Sequence, residues 1–234
     1  MVKAVIFDLD DTLIPEKQYV KSGFHHIARI LCNKFEISEA DIFADLIELF
    51  EKSSQNVFNR LLDQYKIYYT KEMVFELVQR YRHHFPEISF YDDVLPCIEH
   101  LKSNNLKIGI ITDGYTNVQR QKLKAVNANT YFDEIIITDE LGYDYWKPHP
   151  KAFAIMRDKL NVEFTEMMYV GDNPEKDFYI SKTYPIRTVR VFREGFYKEK
   201  AYLDNVMEVH SIYGLDELKS IIDKLTNGCK DDAM

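Results

Sequence analysis

At 234 residues the chain is long enough for one large domain, or for a domain carrying an insert. Its 46% hydrophobic and 29% charged content suits a globular protein with a sizeable core. A formal net charge of -8 argues against a broad nucleic-acid or anionic-membrane surface, because either needs basic patches.

The first element is a buried strand, Ala4-Val5-Ile6-Phe7, which ends in the acids Asp8, Asp10 and Asp11. From about residue 17 to 85 no strand pattern occurs. Ile27, Ile30 and Leu31, then Leu46, Leu49 and Phe50, then Met73, Leu77 and Tyr81 recur at helical spacing, which predicts about four helices. Ser38 with Asp41 three residues on resembles a helix N-cap. Beyond Pro86 strand runs return: Ile108–Thr112, Glu134–Thr138, Met167–Asp172 and Arg187–Val191. Helical patterns separate them at Val94–Asn104, Asn117–Val126, Pro150–Leu160 and Pro174–Lys182, with Pro150 and Pro174 suited to a first turn. This alternation predicts an α/β fold, an open parallel sheet of the Rossmann-like kind with helices on both faces. The domain expectation is a core of residues 1–16 and 86–234 and a helical domain of 17–85. The tail Asn227–Asp232 reads as a frayed end.

Cys32, Cys97 and Cys229 are odd in number and widely spaced, which argues against a disulfide framework or a zinc knuckle and predicts free thiols in a reducing cytoplasm. No stretch approaches the roughly 18 apolar residues of a membrane span. The apolar run after Met1 is too short for a signal peptide. His25-His26 and His83-His84 are neighbours on helices, face different ways, and are expected at the surface or half-buried rather than on a metal. Arg60 either faces the site or, as the expected reading, is a solvated surface residue. His149 either lines a pocket rim or caps the helix after it.

Polar residues cluster where the strand runs end, the place where open α/β sheets collect their chemistry. Asp8 and Asp10 could divide the labour of nucleophile and general acid/base, although an acidic loop or helix cap would look the same. Thr112-Asp113-Gly114 offers a hydroxyl and free backbone N–H groups that can hold phosphate oxygens; alone, a Thr there is also a common cap. Lys147, in Trp146-Lys147-Pro148-His149-Pro150, offers a cation, or simply a surface charge. Gly171 lets the backbone turn, and Asp172 and Asp177 frame a loop with the oxygen ligands a hard cation takes.

Taken in order, these motifs resemble those of the haloacid dehalogenase (HAD) superfamily: Asp8-x-Asp10-x-Thr12, then Thr112, then Lys147, then Gly171-Asp172-x4-Asp177. The resemblance runs from residue 4 to about 192. It implies that Asp8 is the nucleophile and becomes an aspartyl-phosphate. Asp10 would protonate the leaving group, later activate water, and lend its backbone carbonyl to the metal. It further implies that Thr112, Asp113, Gly114 and Lys147 hold the phosphate. Asp8 and Asp172, with the Asp10 carbonyl, would bind Mg²⁺ directly, and Asp177 would help from the loop, either directly or through water or Lys147. The helical insert lies where this family carries a cap, and such caps accompany small soluble substrates.

Within the family, Asp10 favours a phosphatase over a dehalogenase, which has no leaving alkoxide to protonate. Asp11 stands where phosphomutases usually carry Gly. None of Lys17, Lys21, Lys34, Lys52 and Lys66 has the apolar setting of a Schiff-base lysine. The expectation is therefore a cytoplasmic, Mg²⁺-dependent phosphatase of a small phosphate ester, monomer or homodimer, without nucleic-acid or membrane partners. A dehalogenase, a mutase or a catalytically silent HAD fold are the alternatives. A dinucleotide-binding domain is disfavoured because no Gly-x-Gly-x-x-Gly follows a strand run.

Overall fold

The computed structural model describes residues 1–195, 197 and 199–227. Cys229 and the residues 228–232 of the expected frayed tail lie outside them. The described chain divides into two compact units, one of Met1–Glu16 with Ser89–Met234 and one of Lys17–Ile88.

The first unit is built on six parallel strands, β1 (Ala4–Phe7), β2 (Lys107–Thr112), β3 (Glu134–Ile137), β4 (Met167–Gly171), β5 (Arg187–Val191) and β6 (His210–Ile212), in the order β3-β2-β1-β4-β5-β6. This is the open α/β sheet expected. β1 and β4 are buried along their whole length, which is why they read as unbroken apolar runs rather than alternating ones. The strand order reverses beside β1, so that β1 and β4 flank the switch point at which open sheets bind ligands. On one face Phe153, Met156 and Leu160 pack with Ile6, Ile111, Ile136 and Tyr169.

Four longer helices belong to this unit: α5 (Val94–Ser103), α6 (Thr116–Ala125), α7 (Lys151–Leu160) and α8 (Leu215–Asn227). β6 and α8 were not anticipated from sequence. β6 has three residues, and only Ile212 of them is buried, so it leaves no apolar run. The expected helix Pro174–Lys182 does not form; the segment is a turn followed by a short 3-10 stretch, Tyr179–Lys182. Here side chains satisfy the backbone instead. Asn173 Oδ1 accepts from Glu175 N at 2.9 Å, and Asp177 Oδ2 accepts from Asn173 N at 3.0 Å.

The second unit holds four helices, α1 (Glu16–Phe35), α2 (Glu39–Lys52), α3 (Val57–Gln64) and α4 (Lys71–His83), around Phe24, Ile27, Leu31, Ile42, Leu46, Phe58, Leu61 and Leu77. Ser38 caps α2, accepting from Asp41 N, and Thr70 caps α4 in the same way. Gly23 lets α1 meet α4 closely, since a Cβ there would lie 2.3 Å from the Tyr81 ring. His84 is buried rather than at the surface. Its Nδ1 pairs with Tyr81 O at 2.6 Å and its Nε2 with Ser22 Oγ at 3.1 Å, and burial lowers its pKa. Arg60 is likewise tied down, donating to Leu49 O at 2.9 Å, to Gln55 O at 3.1 Å and to Ser53 O. It closes the α2–α3 turn while staying partly exposed.

Candidate active site

Asp8 is the first residue past β1, and its N–H still donates to Val170 O of β4 at 2.9 Å. The backbone is therefore fixed by the sheet while the side chain leaves the carboxyl edge. Asp172 follows β4 in the same manner. The reversal of strand order thus puts the carboxylates of two adjacent strand ends side by side.

Lys147 joins this pair to the loop after β4. Its side chain has no exposed surface, against the ordinary habit of lysine. Its Nζ donates to Asp8 Oδ1 at 2.7 Å, to Tyr169 Oη at 2.8 Å and to Asp177 Oδ1 at 2.9 Å, which uses all three protons. Asp177 is fully buried, and it sits above Gly171 where no other residue would leave it room.

Thr112 ends β2. Asp113 next to it accepts from Thr138 Oγ1 at 2.7 Å, Lys147 N at 3.0 Å and Lys176 Nζ at 2.8 Å. Burial disfavours its charge, but Lys147, Lys176 and these bonds outweigh burial and hold its carboxyl below the usual range. Asp113 therefore braces the site as an anion. Gly114 adopts a φ of 128°, outside the range of L side chains, and its backbone turns toward α6. Asp10 is held from the other side by α6. Lys122 Nζ donates to Oδ1 at 2.6 Å and Gln119 Nε2 to Oδ2 at 2.9 Å. Asp11 adopts a left-handed φ of 50°, and its Oδ1 accepts from Glu16 N at 2.9 Å.

The electrostatics are unbalanced toward negative charge. Asp8, Asp172 and Asp177 each offer a carboxylate oxygen within 4.8 Å of the others, and all three are buried. Burial raises the Asp8 pKa to about 6, Lys147 opposing and Asp177 adding to the shift. Burial, Asp177, Asp8 and Asp11 hold Asp172 well above the usual carboxylate range. Burial also works against charge on Lys147, yet Asp177 and Asp8 outweigh it and keep this amine firmly protonated. One ammonium does not balance three carboxylates. Asp172 Oδ1, moreover, is buried with no hydrogen-bond partner among the described residues. Such an oxygen needs a proton or a cation. An all-oxygen donor set with surplus charge fits a hard divalent cation.

Of the residues read from sequence, Asp8, Lys147, Asp172 and Asp177 form one contiguous cluster. Asp113 touches Lys147 directly, and Asp10 and Thr112 are linked to each other through Gln119. Asp8, Asp10, Asp113, Gly114 and Asp172 line one cavity of about 150 Å³, together with Glu16, Trp146, Asn173, Lys176 and Tyr197. Trp146 was expected from sequence to serve either a substrate or a dimer contact; the other four of these, and Gln119, Lys122 and Tyr169, were not singled out. Glu16, lodged by burial and by Asp10 beside it, has its pKa raised to about 7. His149 caps α7, accepting from Lys151 N at 3.1 Å. Two larger hollows, of about 390 and 630 Å³, lie along α6 and at the amino ends of the strands, away from the acidic cluster.

The chain is 30% identical over 206 residues to a glyceraldehyde 3-phosphate phosphatase of Methanopyrus kandleri, covering 85% of this chain and 87% of that protein. It is also 30% identical over 247 residues to a glyceraldehyde 3-phosphate phosphatase of Methanocaldococcus jannaschii, covering 99% and 100%. Among solved structures, a HAD phosphatase from Thermococcus onnurineus superposes with a TM-score of 0.61 at 29% identity, covering 94% of this chain and 98% of that one. The family model described as haloacid dehalogenase-like hydrolase matches residues 5–191, which span the whole cluster from Asp8 to Asp177. With that match and these relatives, the chain belongs to the haloacid dehalogenase-like hydrolases.

Proposed function

We propose that this enzyme is a Mg²⁺-dependent phosphatase that hydrolyses a small phosphomonoester, of the sugar-phosphate or nucleotide type, through an aspartyl-phosphate on Asp8. The observation that carries this reading is the strand-end Asp8 carboxylate paired with the buried Lys147 at 2.7 Å, with a second carboxylate, Asp10, two residues on. Similarity to two glyceraldehyde 3-phosphate phosphatases supports the substrate class.

An Oδ of Asp8 attacks phosphorus, and the bond to the leaving oxygen breaks with its electron pair going to that oxygen. Asp10 gives the leaving oxygen a proton. In the second half, Asp10 takes a proton from water as the water oxygen attacks phosphorus, which releases Asp8 and inorganic phosphate. Thr112, with the backbone of Asp113 and Gly114, holds phosphate oxygens. Lys147 screens two anions that must meet; at 4 Å and an effective dielectric of about 20, each unit pair would repel by about 4 kcal/mol. Asp8, Asp172 and Asp177, with the main-chain carbonyl of Asp10, would hold Mg²⁺, which supplies further positive charge against the phosphate when bound.

The reading includes the segment 17–85 as a cap that selects the part of the substrate away from phosphate, and a cytoplasmic setting in which Cys32 and Cys97, both free thiols, stay reduced. A carboxylate at position 10 favours a phosphatase over a dehalogenase, because only an alkoxide leaving group needs its proton.

The test is phosphate release from glyceraldehyde 3-phosphate, other sugar phosphates, nucleoside monophosphates, pyrophosphate and an aryl phosphate. Each is run with Mg²⁺ and with EDTA, for wild type and Asp8→Asn. Magnesium-dependent turnover lost in Asp8→Asn is expected. Turnover that survives Asp8→Asn would remove Asp8 from the chemistry.

A further inference from the structure

Helix α6 sends two polar side chains inward where a helix packed on a sheet ordinarily sends apolar ones. Gln119 and Lys122, three residues apart and so on one face, are 1% and 2% exposed. A buried ammonium costs several kcal/mol of desolvation unless it is well paired. The partner here is not a neighbouring helix but Asp10, in the loop after β1.

Lys122 Nζ meets Asp10 Oδ1 at 2.6 Å, and Gln119 Nε2 meets Asp10 Oδ2 at 2.9 Å. Both oxygens of one carboxylate are thereby fixed, which sets the plane of the group. The same Gln119 nitrogen lies 2.6 Å from Thr112 Oγ1. An amide nitrogen has two protons, so one reaches each acceptor. The amide orientation follows from chemistry, since its oxygen against the Asp10 carboxylate would set acceptor against acceptor. With Oγ1 accepting from Gln119, the Thr112 hydroxyl proton points elsewhere; it reaches Asp113 O only at a long 3.5 Å, a weak bond that a phosphoryl oxygen can replace.

We propose that Gln119 and Lys122 are positioning residues: together they aim the Asp10 carboxylate at the leaving-group oxygen, and Gln119 turns the Thr112 hydroxyl outward to donate to the phosphoryl group. This rests on the phosphatase reading given above. The contrast with Arg193 is informative. Arg193 also makes a half-buried bidentate pair, with Asp93, but it links backbone segments, donating to Thr12 O at 3.3 Å as well. It touches no group of the acidic cluster. Lys122 and Gln119 instead put their side chains on Asp10 and Thr112 of the candidate site.

A positioned proton donor matters most when the leaving group is a poor one. Proton transfer by a placed side chain contributes typically about 10²–10⁴-fold. The experiment therefore compares kcat/KM for an alkyl phosphate, glyceraldehyde 3-phosphate, with that for p-nitrophenyl phosphate, in wild type, Lys122→Met, Gln119→Leu and Asp8→Asn, all with Mg²⁺. The expected result is a fall in the alkyl-to-aryl ratio of about tenfold or more in Lys122→Met and in Gln119→Leu. Melting curves confirm that each variant is folded; if Lys122→Met is not, Gln119→Leu decides alone. Equal losses on both substrates, or no loss, would overturn the proposal, since a merely structural role does not distinguish leaving groups. Failure of the phosphatase reading looks different: wild type would release no phosphate from either substrate, or Asp8→Asn would stay active.

Discussion

Gly171 and Asp177 fit together only because Gly171 has no side chain: a Cβ there would lie 2.4 Å from Asp177 Oδ2 and 2.8 Å from its Cγ. Asp177 has little freedom to yield, because one oxygen is bonded to Lys147 and the other to Asn173 N. Gly171→Ala should therefore displace the carboxylate rather than be absorbed. Displacing one of the carboxylates that would hold the cation should cost at least the roughly 10–100-fold in metal affinity that losing an outer-shell partner costs. Titration calorimetry with Mg²⁺ on the folded variant checks this, and undiminished affinity would mean that Asp177 is not needed at the cation.

Lys147→Met should destabilise the protein as well as silence it. The variant leaves Asp8 and Asp177 buried without their shared cation, and removing one partner of a buried pair costs about 3–5 kcal/mol. Saturating Mg²⁺ should restore part of that loss, since it supplies charge to the same carboxylates. Denaturant unfolding with and without Mg²⁺ measures both effects. A variant as stable as wild type would show that the buried carboxylates take up protons at little cost.

Much of this arrangement could be read from sequence because its residues sit at the ends of apolar runs. Asp8 and Asp172 each follow, and Thr112 ends, a strand whose buried residues are conspicuous, and a parallel sheet brings such ends to one edge. Lys147 follows no strand; its place in an ordered set of motifs marked it, not any local pattern. Gln119 and Lys122 left no signal at all. Polar residues in a helix with so little apolar content look like a solvated face, and their partner Asp10 is 109 and 112 residues away. The stretch after Pro174 misled for a related reason. A proline-led polar run suits a helix start, but Asn173 and Asp177 use their side chains to hold a turn instead.

Millimolar Mg²⁺ should raise the melting temperature of wild type. A ligand that binds only the folded chain stabilises it by about 2.7 kcal/mol at a hundred times its Kd. Asp172→Asn should abolish most of the shift, because it removes the carboxylate whose Oδ1 has no hydrogen-bond partner among the described residues. The same variant should melt higher than wild type in EDTA, since the crowded cluster then carries one negative charge fewer. A magnesium shift that survives Asp172→Asn would point to a cation held elsewhere.

The Arg193–Asp93 pair predicts a pH dependence of stability that is separate from the site. Arg193 donates to both Asp93 oxygens, at 2.8 and 2.9 Å, and stacks its guanidinium 4.1 Å over the Tyr91 ring. Asp93 Oδ2 also accepts from Leu215 N at 2.8 Å, so one carboxylate ties the starts of α5 and α8. Burial pushes the Asp93 pKa up, but the Arg193 and Leu215 bonds outweigh it and hold the carboxyl below its ordinary value of 3.8. A carboxylate with a depressed folded pKa stabilises the native state fully above its unfolded pKa. That stability is lost as pH falls from there through the folded value. Arg193→Met should thus cost stability at pH 7, by about 1–3 kcal/mol because the pair is partly exposed. The gap between variant and wild type should hold constant down to about pH 5 and narrow progressively below about pH 4, as pH falls toward the depressed folded value. Thermal melts from pH 7 to pH 3 follow it. A gap that does not narrow at all between pH 5 and pH 3 would mean that Arg193 acts through packing on Tyr91 and not through its charge on Asp93.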